Sequence, residues 1–281
     1  MTVRIGISGW TYAPWRGGAF YPKGLRQADE LGYVARRMNS VEINGSFYSL
    51  QRPSSYRTWA GSVPTDFVFA VKGSRFISHM KKLTDIETPL ANFFASGVLA
   101  LGSQLGPILW QFPATFAFDR GRMDAFMSRL PKTAGAAADL AAGHDQRVKD
   151  GHALTTTEHP AEPIRHAFEM RHESFRGGEF SDLLRHHQMA MVMADNPGRW
   201  PIFEEQTADF RYLRLHGHEQ LYASGYSDPE LDEWADRMRG WVDAGQDVYA
   251  YCDNDAKVRA PYDAMGLMER LGVAPSDPAS G

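Results

Sequence analysis

The sequence predicts an α/β fold: a TIM-barrel-like closed barrel of parallel strands wrapped by outer helices. Three observations carry that prediction. Eight short apolar runs of strand-like composition alternate with segments patterned as helices, which is the signature of a parallel sheet. Each run ends in a polar or ionisable cluster, as expected where C-terminal strand ends meet at one face. Finally, no Gly-x-Gly-x-x-Gly fingerprint opens a helix after a strand and no P-loop occurs, so an open nucleotide-binding sheet is disfavoured.

The first strand runs from Val3 to Ser8 and leads into an aromatic, glycine-rich loop holding Trp10, Tyr12, Trp15, Phe20 and Tyr21. Leu31, Val34, Ala35 and Met38 share one face of a helix from Gln27 to Met38. The second strand spans Ser40 to Asn44. Pro53 then introduces a short helical turn, and Pro64 precedes strand three, Phe67 to Lys72. Ile86, Leu90, Phe93, Phe94, Gly97, Val98 and Leu101 predict one long helix ended by Gly102 and Gly106. Strand four is Ile108 to Gln111, and a helix from Met123 to Leu130 is stopped by Pro131. Residues 133–163 lack a steady period and read as an insertion or mobile connection, partly helical. Strands five to eight are Ala167 to Met170, Met189 to Ala194, Arg211 to Leu215 and Val248 to Cys252. Between them, Phe180, Leu183, Leu184 and His187 mark one helix, with His186 and His187 expected on its surface. Leu231, Trp234, Met238 and Trp241 mark another, with Asp228 as its expected N-cap and Pro229 at its first position. Met265 and Met268 to Leu271 belong to a closing helix. One barrel domain therefore spans residues 1–271, followed by a tail, 272–281.

Bulk composition narrows the function classes. The chain has 281 residues, 43% hydrophobic and 23% charged, as in a globular protein with a sizeable core. A net charge of −4 argues against coating nucleic acid by bulk electrostatics, although a local basic mouth stays compatible with it. One cysteine, Cys252, rules out an intramolecular disulfide and suits a reducing compartment. The chain enters a strand-like segment at once, without a leader pattern, and no apolar stretch reaches the roughly 18 residues of a membrane span. A cytoplasmic location with no membrane partner is the expectation.

The chemistry is expected at the strand ends. Glu42 and Asn44 alternate with Val41 and Ile43 and so point to one side, where they either close the barrel's upper layer by ion pairing or reach its mouth. Lys72, followed by Arg75 and His79, holds an anion or neutralises Glu42. Gln111 ends strand four. Glu169 and Arg171 share a face, and a carboxylate beside a guanidinium stays ionised, fit for a base or an orienting group rather than an acid. His172 begins the following loop. Arg214 and His216 repeat the alternation, and Arg171, Arg214 and Lys72 together suit a carboxylate or phosphate as a cationic floor. Asp195, Asn254 and Asp255 supply counter-charge and hydrogen bonds, with Asp195 alternatively capping the turn at Pro197-Gly198. Trp10 and Tyr48 offer faces for a sugar or base, or else cap a hydrophobic layer. Tyr222 and Tyr226 form a lid. Glu42, Glu169, Asp195 and His216 are potential metal ligands. However, the ligand spacing of known sites is missing and the three cations oppose a divalent ion, so no metal site is assigned. No flavin motif and no Gly-x-Ser-x-Gly elbow are present.

These residues resemble the YecE-like family, domain of unknown function 72. The resemblance runs through Gly6-Ile7-Ser8-Gly9-Trp10, Phe20-Tyr21-Pro22, Val41-Glu42-Ile43-Asn44 with Phe47-Tyr48, and Phe69-Ala70-Val71-Lys72 with His79. It continues in Leu105-Gly106-Pro107, Gln111-Phe112-Pro113, Glu169-Met170-Arg171-His172, Tyr212-Leu213-Arg214-Leu215-His216-Gly217 and Tyr226-Ser227. It covers nearly the whole chain and implies a barrel-like fold with a site at the strand ends, but no reaction. Where the family pattern reads Phe-Asn-Asn-Asp, this chain reads Cys252-Asp253-Asn254-Asp255, which adds a charge.

Three functions remain in view. The first is an enzyme, hydrolase or isomerase-like, acting on a small anionic or sugar-like substrate. In it Glu42, Glu169 and His216 transfer protons, while Trp10, Asn44, Tyr48, Lys72, His79, Gln111, Arg171, His172, Asp195, Arg214, Tyr226 and Asn254 bind the substrate. The second is a nucleic-acid-binding or processing protein that uses the same cations and aromatics. The third is a non-catalytic small-ligand binder. Cofactor and oligomeric state are left open by the sequence.

Overall fold

A computed structural model describes residues 1–276. Its eight strands are β1 (Val3–Ser8), β2 (Ser40–Ile43), β3 (Val68–Lys72), β4 (Leu105–Gln111), β5 (His166–Glu169), β6 (Ala190–Asp195), β7 (Phe210–Leu215) and β8 (Asp247–Cys252). They form a closed barrel in the order β1 to β8, with the neighbouring pairs of known register all parallel. Parallel pairing needs a crossover for each strand, and helices supply most of them.

The chain divides into two compact units. The first comprises Met1–Glu42, Ser62–Val68 and the chain from Ala190 onward. In it, alternation along the strands separates two environments. Ile5, Ile7, Leu213, Leu215, Val248 and Ala250 join an apolar cluster with Trp234 and Met238 of helix Asp228–Asp243 and with Ala264, Leu267 and Met268 of helix Ala260–Leu271. The residues between them form a polar stack. Ser40 Oγ lies 2.7 Å from Tyr251 Oη and donates to the Val68 carbonyl at 2.8 Å. Gly6 is required beside Ser40, since a Cβ there would stand 1.9 Å from the Ser40 carbonyl oxygen.

The second unit comprises Ile43–Gly61 and Phe69–Met189. Its core is aromatic. Trp110 packs on Phe93 and Phe126 at centroid distances of 5.5 and 5.1 Å, and Phe112 stacks on Phe168 at 6.2 Å. His166 is built into this core: its Nδ1 accepts from Trp110 Nε1 at 3.1 Å and its Nε2 donates to the Pro131 carbonyl at 2.8 Å.

Several predicted boundaries need correction. The single helix over 86–101 is two: Glu87–Ala95, then a 3-10 segment Val98–Gln104. Gly97 breaks it at φ 113°, where a Cβ would meet Pro53 Cα at 2.5 Å. The helix over 27–38 is a 3-10 turn, Gln27–Asp29, followed by Glu30–Ala35. The N-cap at 227–228 is Ser227, not Asp228: Glu230 Oε2 accepts from Ser227 N at 2.6 Å and Oγ at 2.7 Å, which makes a capping box. β2 ends at Ile43, and Asn44, in helical conformation, precedes the helix Gly45–Tyr48, so it does not share a strand face with Glu42. β5 ends at Glu169, which leaves Arg171 beyond the strand. His187 is not a surface residue; it is buried with Nε2 2.7 Å from Asp124 Oδ1. Residues 133–163 contain the helix Ala134–Ala141, capped by Thr133, and a bridge between Thr133 and Pro163. Of the predicted tail, 277–281 lie outside the described residues.

Candidate functional site

In the first unit the strand ends assemble around one buried ion pair. Glu42 and Arg214 are both fully buried. Glu42 Oε1 accepts from Ser8 Oγ in a short hydrogen bond and from Arg214 Nη2 at 2.8 Å. Its Oε2 accepts from Tyr212 Oη at 2.7 Å and Arg214 Nε at 3.1 Å. A carboxylate offers about four acceptor positions, so these four donors occupy it. The phenol of Tyr212 is pushed well above its ordinary range by burial and then by the Glu42 charge, which keeps it a donor.

Arg214 is shared with a second carboxylate, since its Nη2 lies 3.0 Å from Asp253 Oδ2. His216 completes the group. Its Nε2 lies 3.5 Å from Arg214 Nη1, and its Nδ1 lies 2.9 Å from Asp253 Oδ2. A guanidinium cannot accept, so toward Arg214 the Nε2 atom presents its lone pair. Trp200 and Tyr222 set their rings edge-on to His216, each at 5.4 Å. The charge added at Asp253 thus stands beside the Arg214 guanidinium and the His216 ring.

Around this group, Tyr226 Oη donates to Asp195 Oδ2 at 2.6 Å and accepts from Gly217 N at 3.2 Å. Tyr226 is thus buried and bonded rather than a lid. The turn after β6 is capped by Asn196, whose Oδ1 accepts from Arg199 N and Trp200 N, and not by Asp195. Asn254 is buried, and its Nδ2 donates to the Ser224 carbonyl at 2.8 Å and to Asp263 Oδ2 at 2.6 Å. Trp10 is half-buried against the apolar cluster, and its carbonyl accepts from Tyr21 Oη.

The second unit gathers a different group at the ends of β3 to β5. Lys72 Nζ stands 4.4 Å above the Phe47 ring, whose edge also meets His79 at 5.1 Å. Tyr48 is 65% exposed, with the Arg75 guanidinium 5.3 Å over its ring. Glu169 is buried and accepts from Arg171 Nε at 2.6 Å. His79 sits in a π-helical turn, Phe76–Met80, with Nδ1 2.9 Å from Ser78 Oγ. Burial first, then the charges of Lys72 and Arg171, bring its imidazole down to about 4, so it is neutral at pH 7. Gln111 is buried and pairs in register with Glu169. His172 caps the turn Glu173–Phe175 by accepting from Ser174 N at 3.1 Å.

Sequence reasoning sets Lys72, Arg171 and Arg214 together as one cationic floor, with Glu42, Glu169 and His216 as proton-transfer groups; in the structure Glu42, Arg214 and His216 meet within the first unit, and Glu169 and Arg171 within the second. It passed over Ser8 and Tyr212 as members of the first group, although each lies two residues from an inward-facing neighbour, Gly6 or Arg214, and strand alternation alone points to it. Among the described residues, no group of three His, Cys, Asp or Glu side chains stands at metal-binding spacing. Nor is any helix among them long and apolar enough to cross a membrane.

A family model described as "Protein of unknown function DUF72" matches residues 4–280. The chain belongs to the DUF72 family. The UPF0759 protein YecE of Escherichia coli K12 is 29% identical over 114 residues, which are 41% of this chain and 39% of YecE. The matched region thus spans about two fifths of the length of that curated relative. Among solved structures, a DUF72 family protein of Thermotoga maritima MSB8 superposes with a TM-score of 0.76 at 24% identity, covering 97% of this chain and 100% of that one. A DUF72 family protein of Enterococcus faecalis V583 gives 0.75 at 16% identity, covering 99% and 98%. At such identities the likeness is one of fold, and the fold is the DUF72 barrel.

Proposed function

We propose that this DUF72 protein is an enzyme acting by acid–base chemistry on a small sugar-like anion, bound beside His79. The observation that carries the reading is the local excess of positive charge there. Lys72, Arg171 and Arg75 act on His79 in one direction and Glu169 in the other. In a partly buried site such an excess favours an anionic ligand far more than it would in water. The Phe47 and Tyr48 rings offer apolar faces to a sugar ring, and neutral His79 is a hydrogen-bonding partner rather than a proton store at pH 7.

Of the three proton-transfer groups expected from the sequence, Glu169 keeps that role in this reading, oriented by Arg171. Glu42, with its oxygens occupied, and His216, fully buried, support the barrel end instead. The test is a set of sugar phosphates and sugar acids followed for conversion by proton NMR. Lys72→Met should raise KM at least tenfold, and Glu169→Gln should abolish turnover while leaving the fold intact. No binding of any anion in the set, or turnover unchanged in Glu169→Gln, contradicts the reading. Tight binding without conversion assigns a non-catalytic binder.

One observation favours a second reading, nucleic-acid binding: exposed Tyr48 with Arg75 over its ring is a base-stacking platform. Affinity for single-stranded oligonucleotides that falls steeply with salt and is lost in Tyr48→Ala supports it.

A further inference from the structure

The two ring nitrogens of His79 have different surroundings. Nδ1 lies 2.9 Å from Ser78 Oγ. Nε2 has no hydrogen-bond partner among the described residues and is not sealed from solvent. Neighbouring side chains on an ordinary helix do not face each other. Ser78 and His79 meet in a wider, π-helical turn, Phe76–Met80, which is closed by the bond from Lys81 N to the Phe76 carbonyl at 2.9 Å.

The serine hydroxyl decides which nitrogen carries the proton. Ser78 is buried, and among the described residues its side chain has one hydrogen-bond partner, His79 Nδ1. If Nδ1 carried the ring proton, it would donate to Oγ and leave the hydroxyl proton buried without an acceptor, which is costly. With the hydroxyl donating to a bare Nδ1, both groups are satisfied and the ring proton sits on Nε2, the open side.

We propose that His79 is a neutral hydrogen-bond donor through Nε2, held in that form by Ser78, and that it stabilises the negative charge formed on a substrate oxygen while Glu169 removes a proton from the adjacent carbon. The inference rests on the enzymatic reading above for its use, whereas the tautomer rests on the geometry of the turn.

The rest of the site fits that role. The imidazole plane is set by Phe47, which stands at 87° to it with the centroids 5.1 Å apart, and Lys72 Nζ lies 4.4 Å from the same Phe47 ring. Burial first, then Lys72 and Arg171, bring the imidazole down to about 4, so at pH 7 it carries one N–H and no charge. Glu169 is buried and oriented by Arg171 Nε at 2.6 Å. Among these cations a second proton on the ring is disfavoured. A neutral N–H keeps its own proton and is matched to an oxygen whose charge develops only during reaction.

The step balances without a co-reactant. In an anionic compound with a carbonyl beside a hydroxylated carbon, Glu169 takes the proton of that carbon. The C–H electron pair becomes the new carbon–carbon π bond, and the carbonyl π pair moves to oxygen, where it accepts from Nε2. Return of the proton from Glu169 to the former carbonyl carbon, with the hydroxyl proton passing between the two oxygens, gives the isomeric carbonyl compound. The substrate class is thereby narrowed to anionic α-hydroxycarbonyl compounds. Ser78 is a positioning residue in this step, and His79 a catalytic one.

The first test is made on the free protein. Histidine is labelled with nitrogen-15, the His79 signals are assigned by their loss in His79→Phe, and long-range proton–nitrogen correlations at pH 7 show which nitrogen is protonated. Nε2 should carry the proton and Nδ1 should be bare. Ser78→Ala should move the two nitrogen signals toward each other as the second tautomer is populated, and Ser78→Thr, which keeps the hydroxyl, should restore their separation. A ring protonated on Nδ1, or nitrogen signals unchanged in Ser78→Ala, overturns the proposal. The second test compares binding of phosphoglycolohydroxamate, whose ionised oxygen stands in for the reacting one, with that of glycerol 3-phosphate. The hydroxamate should bind roughly tenfold or more tightly, and His79→Phe should lose that preference while still binding glycerol 3-phosphate. A preference that survives in His79→Phe overturns the proposal. If neither probe binds, the anion site itself is contradicted while the measured tautomer stands. A ring protonated on Nδ1, in turn, leaves anion binding by Lys72 and Arg171 untouched.

Discussion

Replacing Arg214 by Met tests how the barrel end is held. The side chain is fully buried and makes two hydrogen bonds to Glu42, at 2.8 and 3.1 Å, one to Ser8 Oγ at 2.8 Å, and a 3.0 Å ion pair to Asp253. Methionine fills much of the volume but leaves the Glu42 carboxylate buried without its counter-charge. Breaking a buried pair from one side costs about 3–5 kcal/mol, mostly from the stranded charge. With an unfolding entropy of about 2.1 cal/mol/K per residue over 281 residues, that corresponds to a fall in Tm of roughly 5–9 °C. Urea denaturation and calorimetry on Arg214→Met, Glu42→Gln and the double variant provide the assay. The double variant should be more stable than the sum of the single losses predicts, by about 1–3 kcal/mol, because neither charge is then stranded. A single-variant loss below about 1 kcal/mol, or strict additivity, would refute the view that this pair acts as one buried unit.

Three other outcomes follow from the packing. His166 and His79 are both brought from the ordinary 6.5 to about 4, chiefly by burial. Between those two values the unfolded chain binds protons that the folded chain refuses, so stability is full above pH 6.5, falls through the window, and reaches its full loss below about 4. Urea midpoints at pH 7, 5 and 4 measure the fall, and an imidazole resonance of His166 that titrates near 6.5 contradicts it. Gly97→Ala places a Cβ 2.5 Å from Pro53 Cα at φ 113° and should cost roughly 1–3 kcal/mol, read from the shift in urea midpoint; an unchanged midpoint refutes the contact. Ser227→Ala should lose about 1 kcal/mol by the same measurement, and Asp228→Ala distinctly less, since Ser227 carries the capping box.

The barrel was legible because its strands are short apolar runs with β-branched and aromatic residues, and because each ends in polar residues. What the sequence left hidden was mostly tertiary. The apolar spacing from Ile86 to Leu101 runs through Gly97, and the helix breaks there because Gly97 takes a left-handed backbone against Pro53. Ser227 and Asp228 are both good caps, and the position of Glu230 three residues after Ser227 decides between them. At the site, alternation exposed Glu42, Arg214 and His216 as neighbours, but it could not reveal that Glu42 has four donors. The state of His79 depends on burial and on cations brought from β3 and the end of β5. The hydrogen bond from Trp15 Nε1 to the Asp255 carbonyl, at 3.0 Å, joins residues 240 apart in sequence, beyond the reach of any local pattern.

The central claim, an anion site around His79, is tested most directly by calorimetric titration of the free protein with a hexose 6-phosphate and with the matching neutral hexose. The account predicts binding of the phosphorylated sugar alone, weakened by added salt and abolished in Lys72→Met. Equal affinity for the neutral sugar, or phosphate-sugar binding that survives Lys72→Met unchanged, would contradict it.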